Sequence, residues 1–152
     1  MQPTDNTARD PDISRLREKS KACYVCGSEN PAGLKITFDP EGDNGSIARY
    51  TARREHEGWG SILHGGLTFT LMDEALGWAL YFHGLSGVTA RVEARFRQPI
   101  PVGSAVVVRA WMTGRRGRII NARAEVRSDS PESILLAEAD ATMCLLNVDG
   151  AR

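Results

Sequence analysis

The sequence predicts an α+β domain in which one long helix packs against an antiparallel sheet, in the order β-β-α-β-β-β-β. Three observations support this prediction. A strongly apolar run with helical periodicity spans about Gly66–Phe82. Strand-like segments lie on both sides of it, two before and four after. Clusters of turn-forming residues separate these segments. A single helix covers only one face of a sheet, so the other face must be polar or covered by a partner.

The segment before the helix begins without any periodic pattern. Residues 1–20 carry two prolines and no apolar repeat, which predicts a mobile tail with a short helix over Ile13–Lys21. We expect a single domain over residues 21–148, since 152 residues suffice for one buried core.

Two strands are predicted before the helix. Leu34–Phe38 alternates strictly between apolar and polar residues, which is typical of a strand. The turn cluster Asp39–Gly45 follows, and a second strand covers about Ser46–Arg53. A glycine-containing loop over Glu55–Leu63 then leads to the helix.

The predicted helix is apolar around well over half of its circumference, so it should be mostly buried. Four strands follow it, separated by Pro99–Gly103, by a hairpin turn at Gly114–Gly117 and by Ser128–Ser133. The first of the four has one apolar and one charged face. Their predicted bounds are Val88–Arg97, Ala105–Thr113, Ile119–Arg127 and Ile134–Leu146.

Composition excludes several classes of function. Lys plus Arg equals Asp plus Glu at 19 each, so charge gives no general case for nucleic-acid binding. No apolar run approaches the ~20 residues needed to span a membrane. The polar N-terminus lacks a signal-peptide core, and the chain has three cysteines. Both features favour the reducing cytoplasm over a disulfide framework.

The start of the helix has the features of a carbonyl-binding site. His64 is followed by Gly65 and Gly66, which allow another backbone or a ligand to approach closely. A helix N-terminus offers unpaired N–H donors and partial positive charge, which can polarise a carbonyl oxygen. Asp73 lies within the same helix and could attack that carbonyl or activate water.

Helix geometry separates these two features. Asp73 lies seven residues beyond Gly66, or ~10 Å along the axis at ~1.5 Å per residue. A general base must come within about 3 Å of its target, or one water away. Asp73 therefore cannot easily serve the N-terminus of its own helix, whereas an antiparallel copy of the helix would bring its own Asp73 close. The sequence favours a site shared by two subunits.

The chain resembles the hotdog-fold thioesterases, in particular the acyl-CoA thioesterases of the phenylacetate-pathway type. The resemblance covers about residues 22–147, and the strand order agrees with it. It rests on three segments: His64-Gly65-Gly66 with Asp73 and Gly77; Val88-Thr89 with Gln98-Pro99 and Gly103; and Cys23-Tyr24-Val25-Cys26-Gly27 with Asn30-Pro31-Ala32-Gly33-Leu34.

The resemblance implies a homodimer, often a dimer of dimers, that hydrolyses acyl-CoA without metal or cofactor. The N–H of Gly65 or Gly66 would then hold the thioester oxygen. Asp73 of the partner subunit would be the base or nucleophile, and Thr89 would help position the attacking water. Some members carry an asparagine six residues before the histidine. Gly58 stands there in this chain, so that contact is absent or supplied by another residue.

His64 could act as a base, but it more simply buttresses the turn through hydrogen bonds. Glu74 competes with Asp73 as the base, although its position on the helix favours a solvated or paired carboxylate. Arginines suit the phosphates of CoA, yet charged turns are usually solvated. Aromatic side chains could line the acyl pocket or belong to the core. The residues expected to bind substrate are Gly58, Trp59, Thr70, Glu74, Arg115 and Arg116.

The Cys23-x-x-Cys26 pair suggests zinc or redox chemistry. A structural zinc takes four ligands, and the chain offers no second such pair. We therefore expect reduced cysteines packed against the sheet and no metal. A zinc site completed by a histidine or by a partner subunit stays open.

Two other functions fit the same motifs. A hotdog dehydratase or hydratase would use an Asp/His dyad in a different local motif, which is not found. A non-catalytic acyl-CoA sensor would use the same pocket without turnover.

Overall fold

The structure, a computed structural model, describes residues 17–146. Its elements follow the predicted β-β-α-β-β-β-β order. They are β1 (Asp39–Glu41), β2 (Gly45–Thr51), α1 (Gly65–Tyr81), β3 (Gly87–Phe96), β4 (Ala105–Arg116), β5 (Ile119–Ser128) and β6 (Leu135–Leu145), with a short 3₁₀ helix at Arg54–His56 between β2 and α1.

The strands form one antiparallel sheet in the order β1-β2-β4-β5-β6-β3. The chain leaves α1 and enters β3, which pairs with β6 at the far edge, from Gly87 opposite Leu145 to Phe96 opposite Ala137. Within the described residues, no strand pairs with the other side of β3. This edge therefore presents free backbone donors and acceptors.

Helix α1 packs across one face of the sheet, mainly against β4, with β2 and β5 beside it. Small side chains on the sheet, such as Ala110, Ala124 and Ala139, are fully covered and allow the helix to approach closely. The Ser46 hydroxyl on β2 donates to the Ala75 carbonyl at 2.7 Å, which satisfies both buried groups. The predicted burial of the helix is confirmed: its buried residues are Thr68, Leu71, Met72, Ala75, Leu76, Trp78, Ala79 and Leu80.

The opposite face of the sheet is polar. Glu138 on β6 accepts from both Arg97 and Arg123, and Arg127 donates to Glu125 at 2.8 Å. The hydrogen bond from Arg97 holds the pKa of Glu138 below its usual value. Burial acts in the opposite direction, and the charges of the nearby arginines lower the pKa further. This face is therefore polar, as one of the two expectations had it.

The predicted strand at Leu34–Phe38 is wrong. Its apolar residues do alternate inward, but no ladder forms, and β1 begins one residue later at Asp39. Lys35 has φ of +56°, a left-handed conformation that interrupts an extended strand. The backbone N–H groups of Leu34 and Ile36 donate instead to the carbonyls of Tyr24 and Val25. Alternation here reflects packing against the core rather than sheet pairing.

Other predicted bounds differ by a few residues. Helix α1 starts at Gly65 rather than Gly66, and β4 extends to Arg116, which shortens the hairpin turn. Residues 17–19 are helical, but residues 1–16 of the predicted tail and the end of the domain at residues 147–148 lie outside the described residues. No helix in residues 17–146 is both long and apolar enough to cross a bilayer.

Candidate active site

His64 is the N-cap of α1. Its Nδ1 accepts from the Gly66 N–H at 2.9 Å, and its carbonyl accepts from Leu67 and Thr68. This is the buttressing role expected for His64, and it occupies one of the two glycine donors. The Gly65 N–H has no acceptor within the described residues, so it is the donor left for a ligand at the positive end of the helix.

Gly58 and His64 lie in close backbone contact. A Cβ atom added at Gly58 would lie 2.8 Å from His64 Cα, closer than real side chains pack. A β-bridge between Glu57 and Leu63 brings the two segments together. An asparagine at position 58 would collide with this arrangement, which explains physically why the chain carries glycine there.

The helix N-terminus opens onto a cavity of about 700 Å³, here called the glycine cavity. It is lined by four of the predicted site residues, namely Gly58, Trp59, His64 and Gly65. Trp59 is 87% exposed, so in this chain alone it packs against very little. The full lining is Gly58, Trp59, Ile62, Leu63, His64, Gly65, Thr68, Phe96, Arg97, Gln98, Pro99 and Ile100.

Asp73 lies in a second cavity of about 400 Å³, here called the carboxylate cavity. The Thr89 hydroxyl on β3 donates to Asp73 Oδ1 at 2.7 Å. The structure thus joins two candidates that are 16 residues apart in sequence. The full lining is Ser20, Cys23, Cys26, Asp73, Glu74, Gly77, Trp78, Tyr81, Leu85, Ser86, Gly87, Val88, Thr89 and Met143.

Glu74 lies in the same cavity with different partners. Its Oε1 accepts from Trp78 Nε1 at 3.1 Å and lies 3.6 Å from Cys23 Sγ. Burial, and then the Glu74 carboxylate, raise the pKa of the Cys26 thiol well above its usual value. Glu74 is therefore paired, as expected for the less favoured base. The sequence did not predict that the cysteines approach Glu74, because no local pattern links Cys23 to a residue 51 positions away.

Three predicted substrate-binding residues line neither cavity. The Thr70 hydroxyl donates to the Gly66 carbonyl at 2.8 Å within its own helix. Arg115 and Arg116 end β4, and Arg115 Nε donates to the Gly117 carbonyl at 3.1 Å. The structure gives Thr70 a local helical role and leaves both arginines exposed at the hairpin.

His56 is buried at 6% exposure. Its Nδ1 lies 2.6 Å from the Tyr50 hydroxyl, and its carbonyl accepts from the His64 N–H at 3.0 Å. Burial, with the nearby Arg53 charge, lowers the pKa of His56. His56 thus supports the wall of the glycine cavity from inside.

Strand β3 connects the two cavities. Gly87, Val88 and Thr89 at its start line the carboxylate cavity, and Phe96 at its end lines the glycine cavity. Ten residues of strand span roughly 30 Å. Gly65 and Asp73 of one chain line separate cavities, in agreement with the ~12 Å helical rise between them.

The family model of the thioesterase superfamily matches residues 60–135, a segment that runs from the glycine cavity through α1 to the start of β6. The chain belongs to the thioesterase superfamily. Among known thioesterases, it is 27% identical over 132 residues to the bovine acyl-coenzyme A thioesterase THEM4, a match that covers 86% of this chain and 54% of that protein. The chain thus spans about half the length of this curated relative.

Solved structures of thioesterases share the fold. The Escherichia coli PaaI protein from the phenylacetic acid degradation operon matches with a TM-score of 0.68 at 18% identity, covering 73% of this chain and 83% of that one. A hypothetical thioesterase from Streptococcus pneumoniae with coenzyme A matches with a TM-score of 0.68 at 17% identity, covering 77% and 90%. The predicted hotdog fold and the predicted thioesterase family are confirmed, and the PaaI protein shares the fold.

Proposed function

We propose that this protein hydrolyses acyl-CoA thioesters in a site built from two copies of the chain. One observation carries the proposal: the Asp73–Thr89 pair and the free Gly65 N–H open into cavities at opposite ends of an edge strand. The bovine relative is named an acyl-coenzyme A thioesterase, and the pneumococcal structure holds coenzyme A. Both support CoA esters as the substrate class.

Strand β3 supplies the dimer geometry. If β3 of two copies pair antiparallel about a two-fold axis, the start of one strand faces the end of the other. The carboxylate cavity of each copy then meets the glycine cavity of its partner. Val88 and Phe96, which are 50% and 56% exposed at the two ends of β3, would be covered by this pairing. A homodimer thus completes two equivalent sites, and a dimer of dimers would repeat them.

The chemistry follows from the groups that meet. The Gly65 N–H donates to the thioester oxygen and stabilises the negative charge that develops there. Asp73 of the partner subunit takes a proton from water as the water oxygen bonds to the carbonyl carbon. The carbon–sulfur bond then breaks, and the CoA sulfur leaves with the proton held by Asp73. The products are the free acid and the CoA thiol.

Thr89 and His64 are positioning residues in this scheme. The Thr89 hydroxyl holds one carboxylate oxygen of Asp73, which leaves the other free to accept the proton. His64 fixes the first turn of α1 through Gly66 and so aims the Gly65 N–H. The hydroxyl and the imidazole need not touch the reacting atoms.

The apolar walls of the carboxylate cavity suit an acyl group. Trp78, Leu85, Val88 and Met143 line it. Gly58 and Trp59 form the rim through which the CoA portion approaches.

Arg115 and Arg116 stay proposed contacts for the phosphates of CoA bound at a neighbouring copy, since they line neither cavity of their own chain. A cytoplasmic location likewise stays a prediction.

The first test is turnover of a panel of short, long and aromatic acyl-CoAs, followed by release of the CoA thiol. We expect thiol release with at least one class. A ligand-induced thermal shift without thiol release would favour the sensor. Water addition to an enoyl-CoA without thiol release would favour the hydratase. Either result would overturn the proposal.

The second test addresses the shared site directly. Asp73→Asn and Gly65→Pro chains are each expected to be inactive as homodimers. In dimers reassembled from an equal mixture, half of the heterodimer sites would contain both Gly65 and Asp73. Activity should then recover to about a quarter of the wild-type value with random pairing. A mixture as inactive as its components would place Gly65 and Asp73 in one chain's site and refute the shared one.

A further inference from the structure

Three side chains of types that ligate metals converge in the cavity that contains Asp73, two from the Cys23–Cys26 turn and one from helix α1. One ligand atom from each of Cys23, Cys26 and Glu74 can be chosen so that all three lie within 4.8 Å of one another. All three residues are half-buried. They belong to the carboxylate cavity, yet the proposed hydrolysis uses none of them.

The spacing of these atoms fits a tetrahedral metal. Zinc–sulfur bonds of about 2.3 Å and zinc–oxygen bonds of about 2.0 Å at a tetrahedral angle put sulfur and oxygen ~3.5 Å apart. Cys23 Sγ lies 3.6 Å from Glu74 Oε1. This pair therefore already has the required spacing, and the Cys26 donor lies within 4.8 Å of both.

The surrounding structure holds these donors in place. A Cβ atom at Gly27 would lie 2.4 Å from the Cys23 carbonyl oxygen, so the chain after Cys26 folds tightly back on the turn. The Gly27 N–H donates to that carbonyl at 3.0 Å. Trp78 Nε1 donates to the Glu74 carboxylate at 3.1 Å, the kind of outer contact that orients a metal-ligating carboxylate.

We propose that Cys23, Cys26 and Glu74 form a Zn²⁺ site whose fourth coordination position opens into the carboxylate cavity. Two thiolates select zinc over the harder cations Mg²⁺ and Ca²⁺. Three protein ligands with one open position leave room for a water. The ion ties the Cys23–Cys26 turn to helix α1 beside Asp73. This site is independent of the proposed hydrolysis, because it stands on the donor set alone.

The experiment uses the full chain, reduced and stripped of metal with a chelator. Titration with Zn²⁺ against a chromophoric competitor should show about one ion bound per chain. Co²⁺ in place of Zn²⁺ should give the intense visible bands of a tetrahedral site and a thiolate-to-cobalt charge-transfer band. These spectra detect metal ligation in the wild-type protein, so they need neither a substitution nor an activity assay.

Two substitutions test the proposed ligands, and a third serves as the control. Cys26→Ser should weaken Zn²⁺ binding at least 100-fold and reduce the charge-transfer band to that of the remaining Cys23 thiolate, while Glu74→Gln should weaken binding and keep the full band. Cys144→Ser is the matched control, because Cys144 lies on β6 outside the cluster. It should leave stoichiometry, affinity and spectrum unchanged. Circular dichroism should show that each variant keeps the fold.

Three results would overturn the proposed Zn²⁺ site. No Zn²⁺ binding by the reduced wild-type chain, or a Co²⁺ spectrum without thiolate bands, would overturn the site. Binding that survives Cys26→Ser but is lost in Cys144→Ser would overturn it as well. None of these results depends on thioester hydrolysis, so loss of the zinc proposal and loss of the proposed function can be told apart.

Discussion

The two cavities at the ends of β3 are built on different principles. The glycine cavity offers the backbone N–H of Gly65. The His64 cap and the close contact between Gly58 and His64 hold this part of the backbone in place. The carboxylate cavity offers side chains, with Asp73 and Glu74 adjacent in sequence but bonded to different partners. One half of the proposed site depends on main-chain geometry, and the other depends on side-chain chemistry.

This difference determines which substitutions are informative. A side-chain role is removed by changing the side chain, whereas a backbone donor survives almost any substitution except proline, which has no N–H. The two halves can therefore be disabled separately. The following predictions test each half, from the largest expected effect to the smallest.

Asp73→Asn should have the largest effect, because it removes the proposed base while keeping shape and hydrogen bonding to Thr89. We expect turnover to fall about 100- to 10,000-fold with the fold intact. Steady-state kinetics of thiol release and a thermal melt measure the two quantities. Asp43→Asn, in the exposed turn before β2, is the control and should keep full activity. Full activity in Asp73→Asn would exclude this carboxylate as the base.

Gly65→Pro should be next, with kcat lowered about 100- to 1,000-fold by loss of one oxyanion donor. Position 65 is the first residue of α1, where proline suits a helix, and His64 before it has an extended ψ of 129°. A Cβ atom there would meet Phe96 at 3.8 Å, so space is available.

Gly65→Ala is the matched control for this donor. It adds the same first carbon but keeps the N–H, so kcat should change by less than about tenfold. Equal losses in the alanine and proline variants would show that the position is sensitive to bulk rather than to the missing donor.

Sequence patterns predicted most of the fold because apolar periodicity and turn residues are local signals. They failed at Leu34–Phe38, where alternation arises from packing and a left-handed Lys35 prevents pairing. Helical rise, which is fixed, also predicted that Gly65 and Asp73 lie apart, and they line separate cavities; their roles as half-sites stay a prediction. The Gly66 N–H bond to His64, the burial of His56 and the Cys23–Glu74 contact depend on tertiary approach, which no local pattern encodes.

Thr89→Val should have a moderate effect on the carboxylate half. The substitution removes a hydrogen bond to a charged group, and we expect kcat to fall about tenfold with KM little changed. Thr89→Ser keeps the hydroxyl and should restore most of the activity, which a purely structural role on β3 would not require. Equal activity in the valine and serine variants would remove Thr89 from the mechanism.

The smallest effect concerns the support of the glycine cavity. Burial lowers the pKa of His56 below its usual 6.5, so the unfolded chain binds this proton more readily than the folded one. Stability from neutral His56 is present above pH 6.5 and falls as the pH drops from there through the lowered pKa. The pKa of Glu138 is also lowered, but its contribution is lost only below 4.5.

Urea unfolding at pH 7.5, 6.5 and 5.5 should therefore show stability decreasing toward pH 5.5 in the wild-type protein. His56→Gln should be less stable at pH 7.5, because the Tyr50 hydroxyl loses its ring partner, and its stability should depend less on pH over this range. His83→Gln is the control and should keep the wild-type slope. If the stability of His56→Gln depends on pH as steeply as that of the wild-type protein, the acid sensitivity arises from another group. The buried imidazole of His56 then does not link pH to the stability of the glycine cavity.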